Sequence, residues 1–311
     1  MAIGARGRAT GWCVTSWALF ATSGPLAAAV MAAGWSAAAV TSVRIASAAV
    51  LLLPVVAAFR PRALRCRRRD LWLLLGYGVL GVAGVQLLFF VAVQRVPVGV
   101  AMVLVGLAPL LVAVWVQVVR RTRVPVQVWL GLGSAVAGLT LVARIRQGTE
   151  LDLLGVAAGL CSAVCSAGYF LLGERAASRY DPLGLTAIGL TVGAAVTWVL
   201  TPPLALPLRS LKAPAAVGGV RIPVWSVLLV LVVAGTVLPY VAGLRALREL
   251  PAAFAAVLAV VEPLVAAGLA WLLLGQSLGP DQLFGAILML AGVLLVQLIQ
   301  PDAQVGDPVR R

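Results

Sequence analysis

Glu262 stands directly before Pro263 in LAVVEPLVAAGLAWLLLG, a run from Leu258 to Gly275 with no other charged residue. A charged side chain at mid-bilayer costs about 2.5–3.5 kcal/mol on insertion scales. Such a group is retained where it meets water or a partner, and a carboxyl that alternately binds and releases a proton can couple transport to a gradient. A neutral glutamic acid bonded between helices is the competing reading. Pro263 removes a backbone donor and frees the carbonyl of Ala259, and Pro109 does the same to Val105. Freed carbonyls are tolerated at membrane depth where they line a cavity. Pro109 and Pro263 are therefore candidate hinge or cavity-wall positions, with simple kinking as the alternative.

Four further residues complete the candidate substrate- or proton-binding set. Arg44, in TSVRIASAAVLLLP, cannot lose its proton and needs an anion, water or carbonyls. It can hold a substrate carboxylate, pair with Glu262, or snorkel to the interface. Gln86 in GVAGVQLLFF, Tyr240 in TVLPYVAG and Trp17 in TSWALFATSGP bring hydrogen-bonding groups into apolar runs. Interhelical bonds, and an interfacial aromatic belt for Trp17, are the alternatives.

Other chemistries lack their residues. The chain has no His and only ten acids, and of these Glu262 alone sits deep in an apolar run. Cys161 and Cys165 are one helical turn apart, but no third or fourth ligand accompanies them, so neither metal nor cofactor is expected. They read as small packing residues. No G-x-x-x-x-G-K-[ST] loop exists, so ATP is not the direct energy source in this chain. These gaps speak against an enzyme.

The elements that must position the candidates are membrane spans. With 62% apolar and 11% charged residues, 311 residues cannot hide their apolar surface in a soluble fold. Ten apolar runs have spanning length: 13–33, 37–59, 71–93, 98–119, 126–143, 153–173, 182–205, 224–244, 251–274 and 281–299. Basic residues set their orientation. With the N-terminus in the cytoplasm, 17 of the 24 basic residues fall on the cytoplasmic side and six opposite, Arg44 being within a span. Both termini then lie in the cytoplasm of a cell (plasma or inner) membrane. The net charge of +14 is explained this way, without nucleic acid, and RPRALRCRRRD reads as a topology anchor touching anionic lipid.

An internal repeat organises the spans. VPVGVAMVLVGLAPLLVA (96–113) aligns with LPAAFAAVLAVVEPLVAA (250–267), matching Pro97 with Pro251, Leu104 with Leu258 and Pro109 with Pro263. The same offset carries Gly131 onto Gly285 and Gly138 onto Gly292. The expected architecture is all-α, with ten transmembrane helices in two five-helix repeats, 13–143 and 153–299. An odd number of spans per repeat inverts the second, an arrangement typical of secondary transporters with a midplane site. The glycines Gly78, Gly81, Gly84, Gly131, Gly138, Gly285 and Gly292 read as close-packing faces, within the chain or in a homodimer.

The stretches PLLVAVWVQVV, WLGLGSAVAGLTLV and EPLVAAGLAWLLLGQSLGPDQLFGAILMLAGVLLV resemble the EamA-type halves of the drug/metabolite transporter superfamily, over about Trp17 to Val296. YGVLGVAGVQLLFFVAVQRVPVGVA and TVLPYVAGLRALRELPA look most like its threonine/homoserine exporter branch. Arg44 matches the superfamily's helix 2 arginine. Gln276 and Thr122 depart from its pattern at a helix end, where orientation is affected more than transport. The resemblance implies export of small metabolites, often proton-coupled. The expectation is a gradient-driven exporter with amino acids as the leading substrates, partnered by lipid and protons. An exporter of cationic or hydrophobic drugs, with Glu262 as counter-charge, is the alternative.

Overall fold

The computed structural model describes residues 2–96, 98–142, 152–202 and 206–259, and scattered positions between 261 and 295. Pro263, Gln276 and most of the expected spans 251–274 and 281–299 lie outside the described residues.

Apolar composition becomes helix almost everywhere. The first expected run is two helices, α1 (Ala2–Ala21) and α2 (Ser23–Ala32), interrupted at Thr22. There the Thr22 and Ser23 hydroxyls donate back to the carbonyls of Leu19 and Phe20, each at 2.7 Å, a pattern that bends helices. Next come α3 (Ala37–Phe59), capped by the Ser36 hydroxyl, α4 (Leu71–Gly76) and α5 (Val85–Arg95). The chain continues through α6 (Val98–Val105), α7 (Ala108–Val118), α8 (Val126–Val142), α9 (Leu153–Ala177) and α10 (Pro182–Leu200). The Asp152 and Asp181 side chains cap α9 and α10 by accepting backbone N–H bonds.

Among the described residues, six helical stretches are long and apolar enough to cross a membrane: Gly7–Ala32, Ala37–Phe59, Arg68–Arg95, Leu153–Ala177, Pro182–Leu200 and Val224–Leu247. Shorter apolar helices cover Ala108–Val118 and Val126–Gly138. Large apolar side chains such as Val50, Leu130 and Val199 point outward, as lipid-facing residues must.

Two details depart from plain α-helix. The connection PLRSLKAPAAVGGVRIP folds as a short helical turn and a two-stranded antiparallel hairpin, β1 (Pro214–Val217) with β2 (Val220–Pro223). Gly218 and Gly219, with φ of 59° and 78°, form the two-residue turn that positive φ requires. The second departure lies inside two spans. Between α4 and α5, Tyr77–Gly84 is π-helical. Between α11 (Val224–Val232) and α12 (Leu238–Leu247), so is Val233–Val237. Gly81 and Gly235 sit in these segments, separated by the offset of the internal repeat. A final described helix, α13 (Ala252–Leu258), follows.

Small residues let the spans approach. A Cβ on Gly78 would lie 2.5 Å from the Val192 Cβ in α10, and one on Gly189 would lie 2.6 Å from the Tyr77 ring. Gly81 meets Tyr169, and Gly84 meets the Cys165 sulfur, so Cys165 packs as the sequence suggested. A Cβ on Gly292 would lie 2.5 Å from the Gly131 carbonyl, bringing the two expected glycine faces together. Gly133 meets nothing within 4 Å. Gly78→Ala and Gly189→Ala should each destabilise the protein by about 1–3 kcal/mol through overpacking. Gly133→Ala should be neutral or slightly stabilising. Thermal unfolding of the purified variants in detergent checks this; equal midpoints for all three would contradict the packing described.

Candidate functional site

Residues of eight helical elements, with Gly106, Ala259 and Glu262 from the stretches between them, line a partly open cavity. Trp17 and Phe20 of α1, Phe170 and Tyr169 of α9, and Tyr240 of α12 form an aromatic wall. Their rings are in contact: Trp17 lies 5.6 Å from Phe170, Phe20 lies 5.2 Å edge-on to Tyr240, and Tyr169 lies 5.9 Å from Tyr240. Opposite are Gln86 and Phe89 of α5, Met102 of α6, and Pro109 of α7.

The polar groups follow from the helix breaks. In a π-helical segment the backbone bond is displaced by one residue, leaving a carbonyl to be satisfied elsewhere. The Tyr240 hydroxyl donates to the Gly81 carbonyl at 2.9 Å, and the Gln86 side-chain amide donates to that hydroxyl at 3.2 Å. A buried chain of two bonds thus joins α5, α12 and the first π segment at the cavity wall. Glu262 also lines the cavity and is half-buried. Its backbone N–H donates to the Ala259 carbonyl at 3.0 Å, an i→i−3 turn bond. Among the described residues, no cationic side chain lies within 4 Å of its carboxylate.

Trp17, Gln86, Tyr240, Glu262 and Pro109 therefore meet at one cavity, while Pro263 lies outside the described residues. Arg44 is elsewhere. It is fully buried at 0% exposure, so it does not snorkel, and it is not among the lining residues. Its Nε donates to the Thr236 hydroxyl at 2.5 Å and its Nη2 to the Gly235 carbonyl. The guanidinium also lies over the Phe90 ring, 5.7 Å from its centroid. Arg44 thus satisfies the carbonyl opened by the second π segment, as Tyr240 does for the first. Its Nη1 is buried without a hydrogen-bond partner.

Sequence reasoning missed Tyr169 and Ser166 on α9. Tyr169 lines the cavity, and its buried hydroxyl has no hydrogen-bond partner. An unmade buried bond costs about 1–3 kcal/mol, so this hydroxyl is available to a ligand. The signal in CSAVCSAGYF was a polar ring four residues after a cysteine–serine pair, inside a run that otherwise reads as lipid-facing.

Residues 8–144 and 153–298 each match the EamA-like transporter family. The chain is 34% identical over 256 residues to the threonine/homoserine exporter RhtA of Escherichia coli K12, covering 80% of this chain and 78% of that protein. It is 31% identical to RhtA of Salmonella typhimurium LT2, covering 81% and 79% respectively. It is 28% identical to the uncharacterized inner membrane transporter YicL of that organism, with 74% of each covered. One crystal structure at 18% identity superposes with a TM-score of 0.73 over 93% of this chain and 96% of its own, which establishes a shared fold. With the family matched over both stretches and RhtA above 30% identity, this multi-pass membrane protein belongs to the EamA-like transporter family.

Proposed function

We propose that the chain exports small metabolites, with amino acids related to threonine and homoserine as leading substrates, by alternating access coupled to protons or another gradient. The observation that carries this reading is the cavity where an intramembrane carboxylate, an aromatic wall and the Gln86–Tyr240 pair converge. A protonatable acid facing a pocket at membrane depth is the minimal equipment of a gradient-coupled carrier. The likeness to RhtA supports the substrate class.

Two inverted five-helix repeats, 13–143 and 153–299, supply the rocking halves in this proposal. Two separate family matches support them, as does the placement of the π segments. Gln86 bonds Tyr240, and Ser134 bonds the Leu288 carbonyl at 3.1 Å; each pair is 154 residues apart, the repeat offset. A residue that touches its own repeat mate lies close to the axis relating the halves. Cavity-lining Val105 and Ala259, and Ala108 and Glu262, are mates by the same offset. The basic-residue asymmetry supports cytoplasmic termini in an inner or plasma membrane.

In this mechanism proton and substrate occupy the pocket in turn: Glu262 carries a proton through one half-cycle and releases it, the substrate then fills the pocket, and the return rocking of the halves releases the substrate on the opposite face. Arg44 acts as a positioning residue. By holding Gly235 and Thr236 it fixes the break in the span that carries Tyr240, and its free Nη1 leaves a donor for one conformational state. The aromatic wall and the absence of a cationic side chain among the described lining residues also favour the second reading, export of lipophilic cations, with Glu262 as counter-charge.

Glu262→Gln should leave folding and membrane insertion intact and abolish pH-gradient-driven uptake of labelled threonine into proteoliposomes. Undiminished, gradient-dependent uptake would remove Glu262 from the mechanism. Tyr240→Phe strands the Gly81 carbonyl and should slow transport roughly tenfold, in line with the loss of one buried hydrogen bond; an unchanged rate would show the bond to be dispensable. Overexpression separates the substrate classes. Cells should gain resistance to toxic threonine and homoserine analogues, whereas protection against lipophilic cations alone would select the second reading.

A further inference from the structure

A second, open depression lies where the α3–α4 connection meets the α9–α10 connection. Arg60, Arg62, Arg65 and Arg67 line it from the first connection and Arg179 from the second. Asp70 and Asp181 are the acids present, leaving an excess of three positive charges. Both acids are already engaged. Asp70 accepts from Arg179 at 2.5 Å and from the Tyr180 hydroxyl at 2.8 Å. Asp181 caps α10 and lies 3.6 Å from Arg60. Among the described residues, Arg62, Arg65 and Arg67 have no acidic partner within 4 Å.

The arginines are mounted on fixed backbone. Pro61–Leu64 is a 3₁₀ turn, with the Ala63 N–H donating to the Arg60 carbonyl at 2.9 Å. The Arg67 N–H donates to the Tyr180 hydroxyl at 3.4 Å. The Ala63 carbonyl oxygen presses so close to α10 that a Cβ on Gly184 would lie 2.1 Å away. Phe59 lines the depression and is 82% exposed. Val55 and Leu51 lie one and two turns back along the same face of α3, also exposed. The site is an arginine bowl above an outward apolar stripe.

We propose that this depression binds one anionic phospholipid, its phosphate gripped by Arg62, Arg65 and Arg67 and an acyl chain lying along Leu51, Val55 and Phe59. Guanidinium forks match phosphate oxygens in pairs, and basic pockets beside spanning helices suit such headgroups. The assignment is independent of what the transport cavity carries.

The test uses the full-length protein in uncharged detergent. Bound lipid is counted by native mass spectrometry during titration with dioleoylphosphatidylglycerol or dioleoylphosphatidylcholine. The protein should retain phosphatidylglycerol at roughly tenfold lower concentration than phosphatidylcholine, and added salt should weaken the preference. In R62Q/R65Q/R67Q the preference should vanish. Should that variant insert wrongly, R62K/R65K/R67K keeps the charge that orients the chain, and loss of the paired guanidinium contacts should still weaken retention. No preference in the natural protein, or an undiminished one in the variant that inserts, overturns the proposal. Displacement of phosphatidylglycerol by an equal concentration of glycerol 3-phosphate would make this a free-phosphate site and overturn the lipid assignment.

Discussion

Hydrocarbon offers a backbone carbonyl no hydrogen bond, so every break in a spanning helix must be satisfied from within the protein or by water. Two spans here are broken by π-helical segments, and each break has its own donor. Tyr240 serves the Gly81 carbonyl and Arg44 the Gly235 carbonyl, at positions one repeat apart. From this constraint the rest of the site follows. Tyr240 must reach across to α5, which brings Gln86 to it. The two spans are held close enough to form one wall of the cavity, and the aromatic rings of α1 and α9 pack against Tyr240 to complete it.

Much of this was legible in the residues. The run 37–59 reads as a span from composition alone and is a helix over the same residues. Glu262 announced itself because a charge in an apolar run has few tolerable environments, and it does face the cavity. Gln86 and Tyr240 were each readable as cavity groups or interhelical bonds, and the structure makes them both at once. Arg44 was legible as a group requiring a partner. Its partner was legible only in part: Pro239 lacks the N–H that would reach the Gly235 carbonyl, but packing decides that Arg44 is the group that reaches it. Tyr169 was hidden because its surroundings have the hydropathy of any lipid-facing helix; only packing reveals which face it occupies. The hairpin at Gly218–Gly219 is written in the VGGV turn, a signal that a reading for spanning runs passes over.

The division of labour between Arg44, Glu262 and the loop arginines is physical. Arg44 keeps its charge under all conditions, so it suits a fixed role at a helix break. A carboxyl changes charge within reach of ordinary proton gradients, so it suits a role that must alternate. The arginines of the α3–α4 connection line a separate depression and are not among the residues that line the cavity.

A carrier of this kind requires that Val105 and Ala259, 154 residues apart and both on the cavity wall, face water rather than lipid. In a variant lacking the four native cysteines, Val105→Cys and Ala259→Cys can each be exposed to a membrane-impermeant maleimide from either side, with and without threonine. Both cysteines should be labelled by the water-soluble reagent, and substrate should protect them. Labelling of both only by a membrane-permeant apolar maleimide, with none by the impermeant reagent from either face, would contradict a wet cavity and the carrier built on it.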